Sequence, residues 1–62
     1  MKNPVSSLSS YRMEVFENNV WRRMKEYDDS EIAILNARSY SKSNKCDVRV
    51  IHQGEVKYLL VS

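Results

Sequence analysis

Cys46 and His52 are the only cysteine and the only histidine in the chain, and a thiol beside an imidazole is the smallest set of groups that runs nucleophilic catalysis. Their spacing argues against it. Both fall in one extended segment six positions apart, which at ~3.3 Å per residue separates the two side chains by roughly 20 Å. Asp28 and Asp29 are adjacent carboxylates, but they stand just ahead of an amphipathic segment, where an Asp side chain accepts hydrogen bonds from first-turn amides. A single glycine leaves no phosphate-cradling loop. One Cys and one His supply neither a disulfide nor the four ligands of a structural zinc site. The reading is a protein that is not an enzyme, with no catalytic residue, no metal site and no cofactor.

A second group of residues points to binding. Arg12, Arg22, Arg23 and Lys25 are interleaved with Phe16, Trp21 and Tyr27, and Arg49, Lys57 and Tyr58 add to them from later in the chain. Arginine pairs with carboxylate or phosphate and stacks on planar groups, and aromatics anchor interfaces or stack on bases. Glu14, Glu26, Asp47 and Glu55 are interspersed, and the net charge is only +2, far from the basic stripe of a dedicated nucleic-acid domain. A protein partner is therefore the leading expectation and a small nucleic-acid-binding module the alternative. Arg12, Phe16, Arg22, Arg49 and Tyr58 are the candidate contacts, with Tyr11 and Trp21 assigned to the core.

These residues need a scaffold, and 62 residues with 42% hydrophobic content allow one domain with a small core. No apolar run is long enough to span a membrane. Residues 1–10 carry four serines, one proline and few aliphatics and read as a flexible arm without the features of a signal peptide. Residues 11–62 read as the folded domain. A lone thiol agrees with a cytoplasmic location.

From Tyr11 to Tyr27 a period of two is interrupted at Glu17-Asn18-Asn19, the pattern of a β-hairpin, since asparagine tolerates the left-handed backbone of tight turns. Two registers compete. A two-residue loop at Asn18-Asn19 sets Phe16 against Trp21 but separates apolar from polar residues poorly. A three-residue loop sets Val15 against Trp21 and gathers Tyr11, Met13, Val15, Trp21 and Tyr27 on one face, and it is the register expected. Asp28-Asp29-Ser30-Glu31 has capping-box spacing and opens a helix to about Ser43, with Ile32, Ala33, Asn36, Ala37 and Tyr40 along one side and Asn44 as left-handed terminator. Residues 46–52 and 55–61 form a second hairpin around Gln53-Gly54. Val48, Val50, Leu59 and Val61 then share one face, and Ile51, Val56, Tyr58 and Leu60 the other.

The order is ββαββ, an α+β fold. A right-handed crossover lays the third strand beside the first and gives an antiparallel four-stranded sheet in order 2-1-3-4 with one helix on one face. The opposite face is left bare, and an apolar patch there calls for cover. The expected cover is a protein partner: a foreign protein, or a second copy in a homodimer through the sheet face or an edge. The alternative is the N-terminal arm, through Val5 and Leu8.

The succession Tyr11-Arg12-Met13-Glu14-Val15, then Trp21, Tyr27, Glu31, Ala33 and Ala37, and finally Val48-Arg49-Val50-Ile51 resembles, in size and element order over residues 11–61, small phage or mobile-element α+β proteins of the anti-CRISPR type. The resemblance implies a single-domain, cytoplasmic, non-enzymatic inhibitor that occupies a surface of an enzyme or nucleoprotein partner. It assigns no individual residue.

Overall fold

The structure, a computed structural model, describes residues 10–62. The flexible arm and its docking through Val5 and Leu8 therefore concern residues that lie outside those described. Four strands and one helix follow in chain order: β1 (Tyr11–Glu17), β2 (Val20–Tyr27), α1 (Ser30–Asn44), β3 (Val48–His52) and β4 (Glu55–Leu60). The sheet is antiparallel in order β2-β1-β3-β4. This is the α+β fold and strand order expected.

Turn chemistry fixes both hairpins. Asn18 and Asn19 both take positive φ, 55° and 67°, as do Gln53 at 54° and Gly54 at 77°. Two consecutive left-handed residues match the twist of the flanking strands in a two-residue loop. The three-residue loop expected at the first turn is therefore wrong: Phe16 opposes Trp21 and Glu17 opposes Val20. What hid the true register is a β-bulge. Arg23 pairs with Glu14 and Lys25 with Met13, leaving Met24 as the extra residue, so strict alternation cannot be counted through it. A second bulge at Lys57 shifts β4, with Val56 opposite Ile51, Tyr58 opposite Val50, Leu59 opposite Arg49 and Leu60 opposite Val48. Beyond the bulge the expected faces of β4 are exchanged, while Val56 stays with Ile51 as expected. Tyr58 and Leu60 share the helix-covered face with Val48 and Val50, and Leu59 joins Ile51 and Val56 on the other.

The helix is held where its start signals place it. Asp29 is the N-cap, accepting from the amides of Glu31 at 2.7 Å and Ile32 at 3.4 Å, rather than Asp28 in a capping box. At the far end the left-handed residue is Lys45, φ 54°, one beyond the Asn44 expected. Asn44 stays helical and donates from Nδ2 to the Tyr40 carbonyl. Ala33 and Ala37 are fully buried and Ser41 nearly so, whereas Ile32 and Asn36, assigned to the same stripe, face outward. The buried stripe is rotated toward Ser41, whose hydroxyl donates to the Cys46 carbonyl at 2.8 Å and ties the end of α1 to the entry of β3.

The core lies between this stripe of small residues and Met13, Val15, Val48 and Val50, flanked by Tyr11, Tyr27, Tyr40, Cys46 and Leu60. Its largest fully buried side chains are valines. Alanines permit close approach of helix to sheet, so a thin layer of β-branched residues fills the gap.

Candidate functional site

With one helix among the described residues, the sheet keeps a face pointing away from it, and the corrected registers decide what stands there. From β1 come Arg12, Glu14 and Phe16, from β2 Trp21, Arg23 and Glu26, from β3 Arg49 and Ile51, and from β4 Val56 and Leu59. Alternation on β1 puts the acid of Glu14 between the cation of Arg12 and the ring of Phe16.

Glu14 is the hub. It is 9% exposed although charged, and a buried carboxylate requires partners. Arg49, directly opposite on β3, supplies them: its Nε donates to Glu14 Oε1 at 2.8 Å and its Nη2 lies 2.7 Å from the same oxygen. Arg12 Nε lies 2.9 Å from Glu14 Oε2, an ion-pair contact whose N–H is not aligned for a hydrogen bond, so the buried nitrogen remains unsatisfied. Two cations thus converge on one carboxylate.

The Arg49 guanidinium also sits over the Trp21 ring, 4.2 Å from its centroid, where the negative face of the indole attracts it. Phe16 meets Trp21 in a tilted contact at 5.1 Å, and at 36% exposure presents its ring to solvent. Carboxylate, guanidinium, indole and phenyl therefore form one continuous array, anchored from below and open above.

Comparison with family models, with curated proteins and with solved structures finds no match to this chain, so its chemistry is read from its own residues. Three of the five candidate contacts, Arg12, Phe16 and Arg49, come together on the open face. Arg22 and Tyr58 do not, because the true registers turn them to the helix face: Arg22 opposes Val15 and Tyr58 opposes Val50. Arg22 is spent on Glu17, 2.6 Å away, whose hydrogen bond and charge raise the guanidinium further above its usual pKa. Tyr58 remains half exposed at the β4 edge.

Trp21, assigned to the core, belongs instead to the open face. The sequence offers Glu14 only as one of several interspersed acids. The pattern Arg12-x-Glu14-x-Phe16 carries the signal for it, because alternate strand residues share a face, but only once the two-residue turn is accepted.

The other chemistry-bearing groups stay apart. His52 is stacked on Tyr11, ring centroids 4.0 Å apart and nearly parallel, with Nδ1 3.1 Å from the Ser10 carbonyl. Ser10, grouped with the arm, is buried and donates to Glu26 at 3.2 Å. Cys46 precedes β3, its thiol held above the usual pKa by burial and by the charges of Glu17 and Asp47. Among the described residues no helix is long and apolar enough to cross a membrane.

Proposed function

We propose that the chain is a non-catalytic binding protein that docks a protein partner on the sheet face opposite α1. The observation that carries this reading is the Arg49 guanidinium fixed between the Glu14 carboxylate and the Trp21 ring, with Phe16 exposed beside it. Tryptophan, arginine and aromatic side chains dominate interface energies when they are held in well-packed surroundings. Ordering them in advance lowers the entropy cost of association. A role as an inhibitor that occludes a larger enzyme or nucleoprotein, from a phage or mobile element, fits both this surface and the resemblance in size and element order.

The nucleic-acid alternative is less well supported. Arg49 occupies a face of Trp21 on which a base would stack. Glu14 neutralises two of the three arginines on this face, and Glu26 lies 3.4 Å from the third, Arg23.

The test is quantitative capture from the source cell with the wild-type chain and with Phe16→Glu, both shown folded by circular dichroism. A protein retained by the wild type, lost with Phe16→Glu and insensitive to nuclease supports the reading. Equal retention by both chains refutes it. Titration with labelled single- and double-stranded oligonucleotides at two salt concentrations examines the alternative, which requires binding that falls steeply with salt.

A further inference from the structure

A second surface stands apart from that face. β4 is an edge strand, and an edge offers a row of unpaired backbone donors and acceptors. Proteins guard such edges with charge, proline or bulges. Here the guard is the bulge at Lys57, and beyond it Leu59 and Val61 are 56% and 71% exposed. Behind this stretch runs a groove of about 510 Å³ with Leu59, Leu60 and Val61 on one wall and Arg38, Lys42 and Lys45 of the helix end on the other.

The charges of that wall are unspent. Arg12, Arg22, Arg23, Arg49 and Lys57 each pair with a carboxylate, but among the described residues Arg38, Lys42 and Lys45 take part in no ion pair. Lys42 and Lys45 suit the negative end of the helix dipole. Arg38, nearly two turns earlier, gains nothing from it. Three uncompensated cations beside an apolar strand edge are complementary to one kind of ligand.

We propose that the β4 edge binds an extended acidic peptide as a fifth strand, with acidic side chains directed into the groove toward Arg38, Lys42 and Lys45 and apolar ones lying on Val56 and Leu59. Main-chain pairing supplies affinity and the alternate side chains supply specificity, as in strand addition generally. A second copy of this chain is the poorer occupant. Its own β4 carries Lys57 and one acid, Glu55, already paired with that lysine at 3.1 Å, and it brings a second set of the same three cations, so like charges meet.

The probe is a fluorescein-labelled, end-blocked octapeptide of alternating Val and Glu, followed by anisotropy and by amide chemical shifts. The expected result is saturable binding that weakens with salt, shifts confined to Glu55–Ser62 and Arg38–Lys45, and about tenfold weaker binding, roughly 1.4 kcal/mol, for the exposed double charge reversal Arg38→Glu/Lys42→Glu with an unchanged circular-dichroism spectrum. Leu59→Pro removes an edge N–H and abolishes binding. Should that variant unfold, the charge reversal and the shift map decide alone. No binding up to roughly 1 mM, equal binding of the Val-Lys peptide, binding only to vesicles rich in phosphatidylserine, or a concentration-dependent dimer with protected β4 amides would each overturn the proposal.

Discussion

Replacing Glu14 by glutamine tests the hub of the open face with almost no change of shape. The carboxylate is nearly buried and meets Arg49 through two nitrogens and Arg12 through one. A hydrogen bond to a charged group contributes about 1.5–3 kcal/mol and a neutral one about half that. Neutralising the acceptor therefore costs roughly 1.5 kcal/mol at Arg49, whose side chain is 26% exposed. Arg12 is 37% exposed and screened by solvent, so its share is about 0.5 kcal/mol or less. The expected loss is about 2 kcal/mol. A domain of this size has roughly 3–9 kcal/mol in total and loses up to about 8 °C of melting temperature per kcal/mol, so the transition falls by about 15 °C. Urea unfolding followed by emission of the single tryptophan measures the loss.

In the double variant Glu14→Gln/Arg49→Gln the second change adds little, since breaking a pair is costly mainly through the charge it orphans. A loss under about 0.5 kcal/mol for Glu14→Gln, or strictly additive single and double variants, refutes the assignment of Glu14 as the anchor of this face.

Other expectations concern the scaffold. Val15→Ala empties the centre of a core whose largest fully buried residues are valines and costs about 2–3 kcal/mol by denaturant titration. Lys45→Gly relieves a side chain held at φ 54° and raises stability by up to about 1 kcal/mol, whereas Lys45→Val at the same place lowers it. Alkylation of Cys46 by iodoacetamide requires a higher pH than for a free thiol, because burial disfavours the thiolate. By linkage, the raised native pKa stabilises the fold below the unfolded thiol's pKa, and this contribution is lost as pH rises through the native value, an effect that Cys46→Ala abolishes.

The elements and their order were legible because their signals are local. Asp29 ahead of a helical stretch, Gly54 between two β-rich runs and the Asn18-Asn19 pair each act within a few residues, and a right-handed crossover then leaves few topologies. The faces of the outer strands were not legible. Met24 and Lys57 each insert a residue that has no opposite partner, and nothing in the side chain of a bulged residue announces it. The Met24 insertion keeps Tyr27 on the helix face while the two-residue turn puts Trp21 on the other, so a count run through it misplaces Trp21, and the Lys57 insertion exchanges Tyr58 and Leu60 with Leu59. The site suffered more than the fold, since fold class depends on which segments pair, while a docking face depends on the parity of every position.

The thin core has a consequence for the life of the molecule. Valines and alanines fill its interior, while Phe16, Trp21 and Tyr58, half of the aromatic side chains, lie at or near the outside, so those rings add little to the stability of the fold itself. A partner that binds only the native form adds RT ln(1 + [L]/Kd) to the folding free energy, and degradation acts chiefly on the open form. On the proposed reading, the half-life of this protein in a cell rises and falls with the supply of the partner, and its abundance tracks that supply.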